Sequence, residues 1–281
     1  MKRILTMSLI ALAIAILVTA SVGAQQQPTT DRFNVQFTDA NRPGQVRVSV
    51  MTGSITVRSH TGRDVIITSS GRSDRRRSRE APPEAGGLRR LEIGMAGLSV
   101  EEDNNVMTIR ANTMNRAVDM EIQVPARTNL KLGTMNDGIL TVENVEGDFE
   151  LTNHNGDIVM NNIAGSVVAN SHNGDVKVSL RQVTAEKPMS FISYNGRIDV
   201  TLPQSAKANL KMRTDNGDIY SDFEVQLRPS STQPVVQDRR NNSGTYRVQI
   251  DRSMIGAING GGPEFNLRTY NGDIFVRKGA R

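Results

Sequence analysis

Charged side chains follow the glycine in each clear copy of a repeated Asn-Gly phrase. The sequence places Asp157, Asp175, Arg197, Asp218 and Asp273 at this position. If the copies stack about 4.8 Å apart, as neighbouring strands do, four carboxylates and one guanidinium form a column. The column predicts either a divalent-cation site, because calcium prefers several oxygen ligands, or turn chemistry, in which Asp bonds nearby backbone groups.

The turn interpretation is favoured over calcium. Calcium-binding nonapeptide repeats follow the pattern G-G-x-G-x-D, whereas here a second glycine is missing and Asp follows Gly directly. Arg197 has a structural role in this interpretation, because it separates Asp175 from Asp218 and relieves the repulsion between their charges. A calcium-stiffened rod is kept as an alternative.

Histidine and tyrosine share a second repeated position, two residues before the glycine. His154 and His172 lie 18 residues apart, and Tyr194 and Tyr270 take the position in other copies. Two stacked imidazoles are candidate metal ligands, but a structural site normally has four ligands and no third is evident. The favoured interpretation is therefore a row of exposed, partly stacked rings along one edge, which offers a surface for sugar rings.

The sequence favours a protein without catalysis, metal or cofactor. It has three histidines and lacks a G-x-S-x-G phrase, and its glycine-rich segment at 258–265 lacks the lysine of a phosphate-binding loop. A polysaccharide-cleaving β-helix enzyme is the main alternative, with Asp175, Arg197 and Asp218 as its site by fold analogy. Such enzymes stack sugars on aromatic side chains, whereas this chain has no Trp and 4% aromatic residues.

The elements that position these residues are short repeats. Five glycines, at positions 138, 147, 156, 165 and 174, are spaced by nine residues, and alternate glycines carry different phrases. The repeating unit is therefore about 18 residues, made of two strand-and-turn halves. The predicted turn residues are Asn155, Gly156, Asn173, Gly174, Asn195, Gly196, Asn216, Gly217, Asn271 and Gly272.

Alternating apolar residues predict strands throughout and an all-β fold. Around each clear copy, apolar residues fall five and seven positions before the glycine, and Ile or Val falls two after it. The predicted inward pairs are Phe149/Leu151, Val167/Ala169, Met189/Phe191, Leu210/Met212 and Phe265/Leu267.

Two architectures accommodate this repeat. Asn-Gly between alternating runs is typical of two-residue hairpins, which would give an antiparallel meander or sandwich. In a β-solenoid each repeat is instead one coil, identical turns line up, and the Asn side chains form an amide ladder. The constant spacing favours the solenoid, and seven glycine-turn phrases at about 4.8 Å per coil give a rod of about 34 Å.

The N-terminus predicts export. Lys2 and Arg3 precede an apolar run at 9–18, and Val22-Gly23-Ala24 forms a small-residue cleavage site. This pattern is typical of a secretory signal peptide at 1–24, and is favoured over an uncleaved anchor because the run is short. The mature protein at 25–281 is expected to be one domain without a transmembrane segment, in the periplasm, on the envelope or secreted. The chain contains no Cys, which excludes a disulfide framework and a thiol nucleophile.

The repeated NGD(I/V)-x-V phrase, the interleaved glycines, the lead-ins "VPARTNLKL" and "LPQSAKANLKM", and the export signal resemble a large bacterial family, the putative-adhesin domain family of unknown function. The chain is also similar to the GIN head domain of autotransporter-like adhesins. The resemblance covers roughly residues 31–281 and is densest over 130–276. It implies a right-handed β-helix-like fold on the envelope or outside the cell, and it supplies no catalytic residues.

Two insertions, at 69–90 and 227–244, interrupt the repeat and are rich in Arg, Ser, Pro and Gly. They are expected to be mobile surface loops. Five arginines between 72 and 79 would attract acidic partners, but a solvated loop is the favoured interpretation. Nucleic acid is not expected, because the protein is exported and stacking platforms need aromatic residues. The sequence thus predicts an adhesin-like binding or scaffold module whose partner is an envelope component, glycan or protein.

Overall fold

The structure is a computed structural model that describes residues 30–72, 98–111, 117–228, 235–239, 245–249 and 253–279. The predicted signal peptide lies outside the described residues. Parts of the two predicted loops are strand: residues 69–72, 227–228 and 235–239. The remaining residues of these loops lie outside the described residues.

Short strands make up the fold, as the alternating sequence predicts. In chain order the first are β1 (Thr30–Gln36), β2 (Gly44–Thr52), β3 (Ile55–His60), β4 (Asp64–Arg72), β5 (Leu98–Asp103), β6 (Val106–Ala111), β7 (Ala117–Pro125), β8 (Thr128–Asn136), β9 (Leu140–Glu143), β10 (Glu146–Asn155) and β11 (Ile158–Asn173). They continue with β12 (Val176–Val183), β13 (Met189–Asn195), β14 (Ile198–Leu202), β15 (Ala208–Asn216), β16 (Ile219–Ser221), β17 (Gln226–Arg228), β18 (Val235–Arg239), β19 (Thr245–Gln249), β20 (Met254–Ile258), β21 (Glu264–Asn271) and β22 (Ile274–Lys278).

The strands form two walls, and β11 contributes one half to each. In the front wall the order is β5, β6, β2, β8, β10, the second half of β11, β13, β21, β15, β20 and β17. In the back wall the order is β1, β4, β7, β3, β9, the first half of β11, β12, β14, β22 and β16. The pair β18–β19 forms a separate antiparallel hairpin.

Each Asn-Gly corner carries the chain from the front wall to the back wall. β13 and β14 flank Asn195-Gly196, yet β13 pairs in parallel with β11 and β21, and β14 with β12 and β22. The all-β solenoid prediction is therefore confirmed, and the hairpin meander or sandwich alternative is wrong. Within the two walls, antiparallel pairing is confined to their ends, at β1–β4–β7, β5–β6 and β15–β20–β17.

The core lies between the walls and uses the side chains that the repeat predicts. All ten residues of the predicted inward pairs are buried, and Phe191 and Phe265 meet edge to face with ring centroids 6.4 Å apart. After the corners Ile158, Val176 and Ile198 are buried as well. Burying each such side chain contributes about 1.5–3 kcal/mol, so the alternation fixes which faces of the strands turn inward.

The order of repeats in space differs from their order in the sequence at both ends. The final repeat, β21–β22, lies between β13–β14 and β15–β16. Likewise β2–β3 lies between β6–β7 and β8–β9. Each inserted repeat therefore has a parallel neighbour on both sides, and its corner aligns with corners that are distant in the chain.

Candidate functional site

The Asn residues of the corners form a continuous amide ladder. Nδ2 of Asn173 donates to Oδ1 of Asn155 at 2.8 Å, and Nδ2 of Asn195 donates to Asn173 at 2.8 Å. The ladder then passes through the inserted repeat, where Asn271 donates to Asn195 at 2.7 Å and Asn216 donates to Asn271 at 2.8 Å. The ladder holds the coils in register along this edge.

The glycine after each Asn is required by close approach between coils. A Cβ at Gly156 would collide with the backbone carbonyl of Gly138, and one at Gly174 would collide with that of Gly156. Gly156 has a φ of 147°, whereas Asn155 does not have a positive φ. The corner therefore differs from the type I′ hairpin turn that Asn-Gly favours, in which both residues have positive φ. The same collision arises at Gly196, Gly217 and Gly272.

A column of inward polar side chains lies beneath the corners. Oγ of Ser193 donates to the carbonyl oxygen of Gly174 at 2.9 Å, and Oγ of Ser171 donates to that of Gly156 at 3.1 Å. These bonds satisfy carbonyl groups that the close approach of coils removes from water. The column is not among the residues predicted from the sequence, although its signal is there: a Ser, Thr or Asn stands two residues before each corner Asn. The other members are Thr134, Asn153, Thr214 and Thr269.

The residues after the corner glycines bond the next coil through their side chains. Oδ1 of Asp157 accepts the backbone N–H of Asp175 at 2.8 Å, and Oδ1 of Asp175 accepts that of Arg197 at 3.0 Å. Asp273 accepts the backbone N–H of Asp218 at 2.9 Å. This is turn chemistry between coils. Within the described ranges no group of three or more His, Asp or Glu residues is arranged to hold a metal ion.

Arg197 lies between Asp175 and Asp273 in this column. The predicted position between Asp175 and Asp218 is wrong, because β22 is inserted between β14 and β16. Nε of Arg197 lies 2.7 Å from Oδ2 of Asp175, and Nζ of Lys177 lies 3.4 Å from the same oxygen. Asp218 is two coils from Arg197, so the three residues proposed by analogy as a sugar-cleaving site do not converge.

Two opposing effects set the ionisation of Asp175. Burial raises the pKa of this carboxyl, but the backbone N–H and guanidinium of Arg197 and the charge of Lys177 together outweigh burial and hold the pKa below its ordinary value. The hydrogen bond to Asp175 in turn raises the pKa of Arg197. Both groups stay charged at neutral pH, which suits a structural ion pair and not a general acid or base.

The rings before the corners form one stacked column. The ring centroids of His154 and His172 are 4.8 Å apart with an interplanar angle of 2°. Those of His172 and Tyr194 are 5.1 Å apart at 11°, and those of Tyr194 and Tyr270 are 5.0 Å apart at 5°. The structure thus brings the four predicted residues together, in an order set by the inserted repeat.

The parallel stacking limits what these rings can bind. An imidazole ligates a metal through a nitrogen lone pair in the ring plane, so two parallel rings direct their lone pairs alongside each other and not at one ion. A sugar ring packs on an exposed aromatic face, but the facing sides of His154, His172, Tyr194 and Tyr270 cover one another. The column therefore presents ring edges, with their hydroxyl and nitrogen atoms, to its surroundings.

Two methionines extend the column. The register places Met51 beside Met135, and Met135 beside His154. Exposed fractions are 51% for Met51, 52% for Met135, 46% for Tyr194 and 43% for Tyr270. We name these side chains the corner strip: Met51, Met135, His154, His172, Tyr194 and Tyr270. Its five spacings of about 4.8 Å give a line of about 24 Å.

Two open cavities lie at the other edge of the solenoid, where loops connect the coils. One, of about 510 Å³, is lined by Arg181, Glu186 and Lys207 among other residues. The other, of about 280 Å³, is lined by Arg42, Arg63 and Arg127 among others. Neither lining contains two carboxylates among the described residues, so neither offers the acid–base pair of a glycoside hydrolase.

Comparison with known proteins places the chain in a family. A search of curated proteins finds no match. Two solved structures align with 90% of the chain: a "putative cell adhesion protein" of Clostridium sporogenes, covered over its whole length at 10% identity and a TM-score of 0.47, and a "putative adhesin" of Bacteroides fragilis, covered over 97% at 12% identity and a TM-score of 0.43.

None of the described residues forms a helix with the length and hydropathy that crossing a membrane requires.

The family model of Toastrack DUF4097, a domain of unknown function, matches residues 45–253, which is most of the chain. The resemblance predicted from the Asn-Gly phrases is thereby confirmed, and the chain belongs to the Toastrack DUF4097 family.

Proposed function

We propose that this protein is an exported, non-catalytic binding module that engages a protein of the cell envelope through the corner strip. The single observation that carries the proposal is the strip itself, a line of exposed Met, His and Tyr side chains across six adjacent coils. Met and Tyr are enriched at protein interfaces relative to the remaining surface. Contiguous exposed apolar side chains are common at interaction sites, which supports the proposal.

The strip is organised before any partner arrives. Stacking restricts the rotamers of the four rings, and the amide ladder beneath them fixes their spacing. Side chains that are already ordered lose little conformational entropy on binding, which otherwise costs about 0.5–1.5 kcal/mol for each side chain immobilised. We therefore infer that rigidity contributes to affinity at this surface.

A protein partner suits the strip better than a glycan. The ring faces cover one another, whereas the edges of Tyr194 and Tyr270 carry hydroxyl groups that donate and accept hydrogen bonds. The two methionines adapt their shape to an apolar partner surface. A strip one side chain wide covers less than the roughly 800 Å² per partner of a standard interface, so we expect weak single-site affinity.

Export is the second part of the proposal. The basic, apolar and small-residue segments of the first 24 residues support it. Cell fractionation of the producing bacterium tests it: we expect the chain, cleaved after Ala24, outside the cytoplasm. A full-length chain confined to the cytoplasm would refute export.

The binding itself is tested by sedimentation of the purified mature chain with isolated cell envelopes. We expect saturable binding that disappears when the envelopes are first treated with a protease. Binding that withstands the protease but is lost after enzymatic removal of glycans would contradict a protein partner. The absence of saturable binding would contradict the binding role altogether.

A further inference from the structure

Tyr194 and Tyr270 are distant in the sequence and adjacent on the surface. The insertion of β21 beside β13 brings them together, with ring centroids 5.0 Å apart and planes inclined by 5°. Both side chains are more than 40% exposed, at 46% and 43%. The structure thus holds two phenol rings side by side, both accessible to a diffusing oxidant.

We propose that this pair is a site of oxidative modification, at which Tyr194 and Tyr270 couple to an intramolecular dityrosine. The oxidant is hydrogen peroxide acting through a haem peroxidase. Each phenol loses one electron and one proton, and the two phenoxyl radicals join through a new bond between their Cε atoms. The hydrogen on each bonded Cε then moves to the phenolic oxygen, which restores both rings, while the peroxide is reduced to two molecules of water.

The coupling requires rotation of the rings and little displacement of the strands. Turning each ring about its Cβ–Cγ bond changes the face-to-face pair into an edge-to-edge pair. This rotation breaks the stacking of Tyr194 on His172, and the exposure of both tyrosines leaves room for it. The backbone stays in place because Asn271 donates to Asn195 at 2.7 Å directly beside the rings. Thr269, beneath the same corner, also bonds the carbonyl of Gly196 at 2.8 Å.

The product would act as a covalent brace in a chain without cysteine. The new bond joins β13 to β21 and so ties the inserted C-terminal repeat to its neighbour. A cross-link between residues far apart in the sequence restricts the unfolded chain, which is how a disulfide closing a long loop stabilises a protein. This role is independent of whether the corner strip binds a partner.

The chain provides an internal control. Tyr220 also stacks on a ring, with centroids 5.1 Å apart, but its neighbour is Phe275, which has no phenol to oxidise. Tyr220 is 49% exposed, so an oxidant reaches it as readily as it reaches the proposed pair. A difference between these tyrosines after oxidation therefore reports pairing and not exposure.

The test oxidises the dilute mature chain with a haem peroxidase and hydrogen peroxide. The fourth tyrosine of the chain, Tyr246, is first replaced by Phe, so that Tyr194, Tyr220 and Tyr270 are the tyrosines compared. We expect dityrosine fluorescence from monomeric protein and one cross-linked peptide pair, lighter by two hydrogen atoms, that carries Tyr194 and Tyr270. The variant Tyr270→Phe should lose both signals, and Tyr220→Phe should keep both at the original yield. Cross-links only between chains, or an undiminished yield in Tyr270→Phe, would overturn the proposal.

Discussion

Arg197 contacts Asp175 twice across adjacent coils, through its backbone N–H to Oδ1 at 3.0 Å and through Nε to Oδ2 at 2.7 Å. The side chain of Arg197 has no acceptor to offer the next coil. The column of bonds from corner side chains to backbone N–H groups is therefore interrupted at Arg197. Ile139, which follows Gly138 at the same repeat position, also has a side chain without an acceptor, so the column of bonds is interrupted there too. The backbone N–H of Ile139 itself donates to Oγ of Ser54 at 3.1 Å.

The Asp175 pair makes stability depend on acidity. Because the folded-state pKa of Asp175 is lowered, its carboxylate stabilises the fold above the ordinary Asp pKa of about 3.9, and this contribution is lost as the pH falls through the folded-state value. We expect Asp175→Asn to lower the free energy of unfolding at neutral pH by less than about 1 kcal/mol, since the pair is partly exposed. Urea denaturation at neutral and acid pH measures this difference, which should vanish in acid.

A second substitution separates the ion pair from other effects of Asp175→Asn. In an Arg197→Gln background the guanidinium is absent, so Asp175→Asn should have a smaller effect at neutral pH. An equal effect in both backgrounds would show that the loss does not come from the pair with Arg197.

The close approach of coils predicts a severe effect of Gly156→Ala. The added Cβ meets the carbonyl of Gly138 and the residue has a φ of 147°, so strain and overpacking together should destabilise by about 2–4 kcal/mol. Gly133→Ala is the matched control, because the nearest atoms to its Cβ lie 4.0 Å away. Thermal melting compares the two, and similar melting temperatures would contradict the packing of the corners.

The amide ladder predicts that position within it determines the effect of losing an Asn. Asn195 makes a ladder bond on each side, whereas Asn216 at the end makes the bond to Asn271. We expect Asn195→Ala to destabilise by about 1–2 kcal/mol and Asn216→Ala by about half as much. Chemical denaturation of both variants measures the ratio, and a larger loss for Asn216→Ala would show that the ladder does not transmit order between coils.

The column of inward polar side chains predicts that two substitutions of Ser193 differ in their effect on stability. Ser193→Ala leaves the carbonyl of Gly174 without its 2.9 Å hydrogen bond, which should destabilise by about 1–3 kcal/mol. Ser193→Thr keeps the hydroxyl, and Thr269 and Thr214 fill the same position in the next coils. Calorimetry should therefore place Ser193→Thr near the wild type; a loss as large as that of Ser193→Ala would indicate packing rather than the hydrogen bond.

The repeat pattern predicts most of the structure of each coil, but it does not predict the order in which the coils stack in space. Residues such as Phe191 and Ile198 could be assigned to the core because alternation and the fixed offset of apolar residues from the corner glycine are local properties of the chain. The insertion of β21–β22 beside β13–β14 is a long-range choice among repeats with nearly the same phrase, and no local pattern distinguishes them. For this reason Asp175 could be predicted as one neighbour of Arg197 in the column, but Asp273 could not be predicted as the other.

The repeat predicts that the stacked rings share one position in each coil, but it does not predict the full extent of the corner strip. His154 and His172 share a repeat position, so their stacking follows from the spacing. The extension to Met51 and Met135 was not apparent because these residues precede degenerate copies of the Asn-Gly phrase. The column of inward polar side chains could not be predicted, because small polar residues before a turn are also typical of the turn itself.

The corner strip is the surface that we propose binds the envelope. Its most direct test is the bound fraction of the double variant Tyr194→Ser, Tyr270→Ser in envelope sedimentation, compared with Tyr220→Ser, which alters a tyrosine of similar exposure outside the strip. We predict affinity at least about tenfold weaker for the double variant, or about 1.4 kcal/mol, and unchanged affinity for Tyr220→Ser. Equal binding by both variants, with unchanged thermal melting, would contradict the account.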